Sequence, residues 1–287
     1  MSLLYAICRE TFSRSTFARI PEPALVMSGD ETVRDYTDCG EAGGALYGPY
    51  LYNAMQIAAR IRPGARILDL GCGSGQLLNL VAGWNPDACF TGVDLSEDML
   101  SEARSRASDG RLANVTYVNG DFSSLKGFES CAYDAVISSM ALHHLPDVVA
   151  LARTFRSVDR VLKPGGAVYL MDFGRLRSVD AVEIFVSKVR QSETEMLAMD
   201  YRASLLAAFS HTDFSREALR FRPNETTLYR TAISPLVVVV ATCPKEKLPA
   251  TTRVRFREAF ARLSPQRRGE FRQLKWFLRF GGLSIST

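Results

Sequence analysis

The stretch that decides the fold is Ile67-Leu68-Asp69-Leu70-Gly71-Cys72-Gly73-Ser74-Gly75, which a helical apolar pattern follows. Its first four residues are typical of a buried strand, and its glycines let the backbone take positive φ and approach a ligand closely. The free N–H groups at the start of the next helix favour ligand binding there. A dinucleotide-binding loop would carry its third glycine at position 76, which is Gln76 here, so the pattern argues against a hydride-transferring dehydrogenase.

Strand-like and helix-like segments alternate on both sides of this loop. Residues 46–61 have helical spacing, and further strands are predicted at residues 90–94, 115–118, 133–138 and 167–173. Residues 179–209 are mostly helical in pattern, and two final strands, joined at Ile233-Ser234-Pro235, are expected to be antiparallel because their connection is too short for a crossover. The sequence therefore predicts an α/β fold with a doubly wound, mostly parallel, seven-stranded sheet.

Composition and charge suggest three parts in the chain. The 287 residues are 47% hydrophobic and 23% charged, which is typical of a folded globular protein. Residues 245–287 contain eleven basic and three acidic residues, so this tail carries +8 and the remainder −4 of the net +4. We predict an N-terminal lead-in at residues 1–45, a main domain at 46–244 with a helical lid insertion at about 175–225, and a basic helical extension at 245–287.

The cysteines and the apolar runs of the sequence indicate the cellular compartment of the protein. The six cysteines include no C-x-x-C pair and no zinc-like spacing, so reduced thiols and no metal are expected. The apolar run at residues 3–7 is too short for a signal peptide, and the one at residues 236–241 is too short to span a bilayer. These features predict a cytoplasmic protein.

Carboxylates lie near the carboxyl ends of three of the predicted strands, at the edge of the sheet where such folds bind ligands. Asp69 lies between Leu68 and Leu70 in a buried strand and needs a partner there. Asp94, at the end of the second strand, can accept both hydroxyls of a ribose, and Asp121 can accept from an exocyclic adenine amine. The alternative for each carboxylate is purely structural: a helix cap or a turn.

Two adjacent histidines, His143 and His144, follow the fourth strand in Leu142-His143-His144-Leu145. Imidazole has an ordinary pKa of about 6.5 and can accept a proton near neutral pH, so either histidine is a candidate general base. Asp172, at the end of the fifth strand, is the rival candidate. The alternatives are that a histidine only fixes the geometry of its loop and that Asp172 is a solvated carboxylate.

These elements and Leu162-Lys163-Pro164-Gly165-Gly166, in this order, resemble the class I S-adenosylmethionine-dependent methyltransferases, in particular the small-molecule branch that includes the ubiquinone and menaquinone C-methylases. The resemblance covers about residues 46–173 and implies S-adenosylmethionine as the cofactor. It places the two histidines towards the methyl group and the acceptor. The cofactor-binding residues that it implies are Tyr36, Asp69, Gly71, Gly73, Gly75, Asp94, Leu95, Asp121, Phe122 and Ser138.

The resemblance implies methyl transfer to the oxygen, nitrogen or carbon of a small organic acceptor, such as a natural product or a quinone-like molecule. The chain lacks the Pro-Pro-aromatic run of base-amine methylases, the paired glutamates of arginine methylases and the acidic cluster of metal-dependent catechol methylases. A nucleic-acid partner is therefore not expected. Two alternatives stay open: an RNA methyltransferase anchored by the basic tail, and a non-catalytic protein that binds the cofactor.

The basic tail has a helical pattern that begins at Ser264-Pro265 and ends before Gly281-Gly282. Its apolar residues form a stripe, which favours a helix docked on the main domain or on a second subunit of a homodimer. A basic amphipathic helix can also lie on an anionic membrane surface, so peripheral membrane contact is a further expectation.

Overall fold

Seven strands form one sheet in the computed structural model, which describes residues 17–22, 37, 39–41, 43–221, 225–244 and 248–284. The strands are β1 (Arg66–Leu70), β2 (Cys89–Asp94), β3 (Val115–Asn119), β4 (Tyr133–Ser139), β5 (Leu162–Phe173), β6 (Thr226–Arg230) and β7 (Val237–Thr242). The helices are α1 (Tyr47–Ala58), α2 (Gln76–Trp84), α3 (Glu97–Asp109), α4 (Val148–Val161), α5 (Val179–Arg190), α6 (Glu195–Ala207), α7 (His211–Arg220), α8 (Ala250–Arg262) and α9 (Pro265–Phe280). A single 3₁₀ turn, Leu142–His144, follows β4.

The strand order is β3-β2-β1-β4-β5-β7-β6, with β7 antiparallel to both of its neighbours and β1 to β5 parallel. This confirms the predicted fold class. The chain leaves β1 for β2 and β3 on one side and then returns to form β4 on the other. The order therefore reverses between β1 and β4, and open α/β sheets bind ligands beyond the carboxyl ends of the strands at such a point.

Helices cover both faces of the sheet because successive strand residues point in opposite directions. Ile67 packs into the core on the face covered by α1 and α2, whereas Leu68 packs into the core on the face covered by α4 and α7. β5 begins at Leu162 rather than at the predicted residue 167. Its pairing with β4 shifts between Tyr133 and Ala135, so Lys163 to Gly166 form an irregularity inside the strand instead of a separate turn.

The C-terminal tail, which was predicted to be helical, contains two helices, and the sequence patterns gave bounds only for α9. The Ser264 side chain accepts a hydrogen bond from the Arg267 N–H, and Pro265 occupies the first turn. The Phe271 and Leu278 side chains are 3% and 0% exposed and pack in the core beside α1, where the Phe271 ring lies 6.1 Å from the Tyr52 ring. The apolar stripe of α9 therefore docks on the main sheet domain. Among the described helices, none is both long and apolar enough to cross a membrane.

The docked tail leads to a testable expectation for stability. Leu278→Ala is expected to lower the free energy of unfolding by about 2 to 4 kcal/mol, because it removes a fully buried side chain and leaves a cavity. Urea unfolding followed by circular dichroism measures this loss. Phe280→Ala, at a side chain that is 65% exposed, is the matched control and should change stability little. Equal small effects of both variants would contradict the docking of α9.

Candidate functional site

A cavity of about 950 Å³ opens at the carboxyl ends of the strands, beside the reversal between β1 and β4. The loops after β1, β2 and β4 form one end of it. The other walls come from α1, α5 and α6, from the end of β5, from the turn between β6 and β7, and from α9. α7 supplies no lining residue, because it packs on the opposite face of the sheet through Phe214. Within the predicted lid insertion, only the first two helices therefore border the cavity.

Two glycines shape the loop after β1. Gly71 has φ +68°, and an added Cβ would lie 2.4 Å from the Cβ of Ala141, so a side chain fits there neither conformationally nor sterically. Gly73 has φ +51°, and an added Cβ would meet no atom within 4 Å. The backbone at Gly73 therefore borders open space, and a ligand can approach it closely.

Asp69 is a buried carboxylate at the cavity wall. It is 3% exposed, and no group of the described residues donates a hydrogen bond to it. Burial and the nearby charge of Asp94 raise the pKa of Asp69 well above its ordinary value. A buried carboxylate without a donor costs free energy, and a bound cation or ammonium group would stabilise it.

Asp94 lies at the end of β2 and shapes the middle of the cavity. One of its carboxylate oxygens accepts from the Gly73 N–H and the other from the Ser96 N–H, each at 2.9 Å. Each oxygen keeps a further lone pair, so the carboxylate can still accept two hydroxyl groups. Ser96 itself caps α3, since its Oγ accepts from the Met99 N–H. Leu95, 40% exposed, also lines the cavity beside Asp94.

The predicted adenine residues are divided between the cavity and the surface. Phe122 is 8% exposed and lines the cavity. Asp121 is exposed and is not a lining residue; its two oxygens accept from the backbone N–H and the Oγ of Ser123, at 2.8 and 2.9 Å. That arrangement is typical of a turn, which was the structural alternative for this residue. A role for Asp121 in binding adenine stays a prediction.

Two other predicted cofactor residues, Ser138 and Gly75, lie at or beyond the margin of the cavity. The Ser138 Oγ donates to the Leu70 carbonyl and does not line the cavity, whereas the neighbouring Ser139 does. Gly75 begins α2 with φ +72° and packs against Tyr117 rather than facing the cavity. Tyr36 lies outside the described residues.

His143 and Asp172 form a buried pair at the other end of the cavity. The His143 ring Nδ1 lies 2.6 Å from one Asp172 oxygen, and the His143 backbone N–H donates to the second oxygen at 2.9 Å. Asp172 also accepts from the Phe173 N–H. Asp172 is 1% exposed and does not line the cavity, whereas His143 does. Asp172 is thus not solvated, and its contacts hold the loop that carries the histidines. A role for Asp172 as a base stays a prediction.

His144 pairs with a carboxylate that the sequence patterns did not single out. Its ring Nδ1 lies 2.5 Å from Glu22, whose second oxygen accepts from the Ser204 Oγ at 2.9 Å. Burial alone would lower the pKa of His144, but the hydrogen bond and charge of Glu22 outweigh it and raise that pKa above its ordinary value. Glu22 escaped prediction because it lies in an irregular Pro-Glu-Pro segment far along the chain from the histidines.

Glu22, His143 and His144 are also a set of residues that could hold a metal ion, since one ligand atom from each lies within 4.8 Å of the others. Imidazole and carboxylate ligands suit zinc and similar ions. The expectation that no metal takes part stays a prediction. Asp200 of α6 lines the same end of the cavity, and burial and the charge of Glu22 raise its pKa.

The remaining walls of this end are mostly apolar. Side chains from β5, α5, α6, the turn before β7 and α9 supply them, namely Phe173, Phe185, Leu197, Tyr201, Leu236 and Phe277. Arg267 of α9 also lines the cavity and pairs with Glu193 at 2.7 Å, with both side chains under 15% exposed. The docked tail therefore forms part of one wall and is tied to the segment between α5 and α6.

Residues 67–166 match the model of the methyltransferase domain family. A relative, 27-O-demethylrifamycin SV methyltransferase of Amycolatopsis mediterranei, is 30% identical over 172 residues, which are 58% of this chain and 61% of the relative. A ubiquinone biosynthesis O-methyltransferase of Xanthomonas campestris is 30% identical over 161 residues, or 54% of this chain and 65% of the relative. The chain thus spans less than two thirds of the length of these curated relatives.

The fold resembles solved methyltransferase structures. The plantazolicin methyltransferase BpumL, solved in complex with SAH, superposes with a TM-score of 0.57 at 14% identity, covering 91% of this chain and 90% of that one. This likeness shows the fold, and the family model independently matches the segment that carries the glycine loop and the histidines. The resemblance drawn from the sequence is confirmed. Residues 67–166 match a methyltransferase domain family, and the sheet around them has the fold of the solved methyltransferases to which the chain is similar.

Proposed function

We propose that this chain transfers the methyl group of S-adenosylmethionine to a small organic acceptor. One observation carries the proposal: a single cavity joins a glycine loop with two carboxylates, Asp69 and Asp94, to a pair of histidines that each have a carboxylate partner. The relatives named above are a 27-O-demethylrifamycin SV methyltransferase and a ubiquinone biosynthesis O-methyltransferase, and these names support a small-molecule acceptor.

The residues at the glycine-loop end fit the cofactor. Asp69 is a buried carboxylate without a donor, which suits the ammonium of the methionine part. Asp94 keeps free lone pairs for the ribose hydroxyls, and the open space at Gly73 lets the ligand approach the backbone. Phe122 offers an apolar ring for the base. The chemistry of this donor set therefore matches a zwitterionic amino acid joined to a nucleoside.

The chain's own residues align the acceptor and take up its proton. When bound, S-adenosylmethionine supplies a methyl group that its sulfonium already makes electrophilic. Because Glu22 occupies Nδ1 of His144, the proton leaving the acceptor goes to the remaining ring nitrogen, Nε2. His143, fixed by Asp172, holds the loop and the second imidazole beside it, with the two rings 4.2 Å apart. The apolar walls exclude water and hold the acceptor in line.

The acceptor is an apolar, largely aromatic molecule that carries a hydroxyl or amine. Aromatic and aliphatic side chains dominate the walls near the histidines, and such walls recognise apolar rings, while the few polar groups fix orientation. A proton-accepting imidazole is useful only for an acceptor that must lose a proton, which a phenol or an amine does.

Asp94→Ala is expected to weaken the binding of S-adenosylhomocysteine by about 1 to 3 kcal/mol, because it removes charge-assisted hydrogen bonds to the ribose. Isothermal titration calorimetry measures the change. Asp109→Ala, at an exposed residue at the far end of α3, is the control and should bind like the wild type. An unchanged affinity of the Asp94 variant would remove the ribose assignment.

Incubation with S-adenosylmethionine and a panel of phenols, hydroquinones, aromatic amines and a structured RNA tests the proposed function. The expected result is S-adenosylhomocysteine formation that depends on one of the small acceptors and increases with its concentration. Methylation of the RNA alone, reduced when the exposed Arg272 and Arg279 of α9 are replaced by Ala, would instead establish the RNA methyltransferase alternative.

The finer expectations about partners and location also stand as proposals. The outward face of α9 carries Arg272 and Arg279 beside the exposed rings of Trp276 and Phe280, which fits peripheral contact with an anionic membrane surface. A homodimer and a cytoplasmic location are proposed on the sequence alone. Co-sedimentation with anionic vesicles tests the membrane contact, and analytical ultracentrifugation tests the homodimer.

A further inference from the structure

Residues 17–22, here called the strap, cross the end of the cavity where the histidines lie. The Ile20 N–H donates to the Leu206 carbonyl at the end of α6. Two charged side chains extend from the strap. Arg19 reaches backbone carbonyls, and Glu22 reaches the histidines. The strap is far in sequence from every residue that it touches, so its position is set by these contacts rather than by local structure.

Arg19 fastens the strap to the loop that carries the histidines. Its guanidinium donates to four backbone carbonyls at 2.5 to 2.7 Å, those of His143, Leu145, Pro146 and Ala207. It also lies over the Phe209 ring, 4.1 Å from the ring centre. Three of these carbonyls belong to the histidine loop. The planar guanidinium carries several N–H donors and can bond to all of these carbonyls at once, whereas a lysine ammonium cannot. Arg19 thereby fixes that loop relative to α6.

Glu22 brings a carboxylate to both histidines. One oxygen pairs with His144 Nδ1 at 2.5 Å; the other accepts from Ser204 Oγ and lies 3.8 Å from His143 Nε2. The Glu22 side chain is 10% exposed, so its charge acts in a largely water-excluded site. The charged groups that face His144 are Glu22 from the strap, Asp200 from α6 and Asp172 from β5.

We propose that the strap is part of the active site, in which Arg19 positions the histidine loop and Glu22 orients the imidazole of His144 as the proton acceptor. This inference rests on the proposed methyl transfer. A carboxylate on Nδ1 fixes the tautomer that leaves Nε2 free to accept a proton, and it stabilises the imidazolium that forms. Arg19 and Glu22 are thus positioning residues, which act on the acceptor through His144.

Imidazole titration by NMR tests the inference without needing an acceptor. The chain has three histidines, so single His→Asn variants assign every imidazole signal. Glu22→Gln keeps a hydrogen-bond acceptor near Nδ1 but removes the charge, and the pKa of His144 is expected to fall. The control is Glu183→Gln, which removes a carboxylate of α5 that pairs with Arg202 and does not line the cavity. It should leave the His144 titration unchanged.

Turnover separates this inference from the proposed function. The acidic limb of the kcat profile should move to lower pH in Glu22→Gln, with kcat at pH 8 reduced roughly 10-fold and the KM for S-adenosylmethionine unchanged. A His144 titration identical to wild type in Glu22→Gln overturns the inference, whatever the activity. A shifted titration with an unmoved kcat profile instead overturns the assignment of His144 as base and leaves the strap's effect on His144 standing.

Arg19→Lys provides the second variant, in case Glu22→Gln fails to fold. It keeps the positive charge but cannot reach the four carbonyls. A loosened strap would carry Glu22 away from His144, so the His144 pKa should fall here too, with reduced kcat. A wild-type titration and wild-type kcat in Arg19→Lys would overturn the positioning role of Arg19.

Discussion

His144→Asn is expected to lower kcat by about 10²- to 10⁴-fold, the usual contribution of a general base. The affinity for S-adenosylhomocysteine should stay at the wild-type value, because the cofactor residues lie at the other end of the cavity. Steady-state kinetics with an accepted substrate measures kcat, and calorimetry with S-adenosylhomocysteine measures the affinity separately. In the wild type, kcat should fall as pH decreases through the raised pKa of His144, since only the neutral imidazole accepts a proton.

The third histidine provides the matched control for this variant. His211 begins α7, on the opposite side of the sheet from the cavity, and His211→Asn should keep full turnover. A His144→Asn protein with wild-type kcat would remove His144 from the mechanism. A parallel loss of turnover in His211→Asn would indicate that the loss comes from the fold and not from proton transfer.

Asp172→Ala is expected to lower the free energy of unfolding by about 3 to 5 kcal/mol. Asp172 is 1% exposed and accepts from the backbone N–H groups of His143 and Phe173 and from the His143 ring. Its removal leaves these buried donors unpaired, and each unpaired donor carries its desolvation cost. Unfolding by a chemical denaturant measures this loss of free energy. If the dependence of the free energy of unfolding on denaturant concentration is the same as in the wild type, the variant does not act through the unfolded state.

Asp134→Ala is the control for that experiment. Asp134 also accepts from a backbone N–H, that of Arg66, and from the Lys163 ammonium, but its side chain is 37% exposed. Exposed ion pairs contribute little, so this variant should lose less than about 1 kcal/mol. Comparable losses from the two variants would contradict the view that Asp172 is a buried structural anchor of the histidine loop.

The parts of the molecule that were predictable from sequence are those that depend on local patterns. The strands and the glycine loop each follow from spacing within a few residues. The sheet places Asp69 and Asp94 at one edge because both lie near the carboxyl ends of parallel strands. The docked face of α9 was visible as an apolar stripe that includes Phe271 and Leu278. Local pattern therefore located the glycine-loop end of the cavity.

What the sequence did not reveal depends on contacts between distant segments. Glu22 and Arg19 lie in an irregular stretch with no periodicity, and they reach the histidine loop only after the chain has folded over more than 120 residues. Asp172 ends a strand, which is compatible equally with solvent exposure and with a buried pair, and only the position of the loop after β4 decides between them. The bounds of α8 were not predicted, because basic residues dilute its apolar positions.

A crystal structure with bound S-adenosylhomocysteine tests most directly whether one cavity brings cofactor and proton acceptor together. The ribose hydroxyls are expected on Asp94, the methionine ammonium beside Asp69, and the sulfur facing the histidine end of the cavity. Density for the nucleoside outside this cavity, or with the sulfur directed away from His143 and His144, would contradict the proposed arrangement.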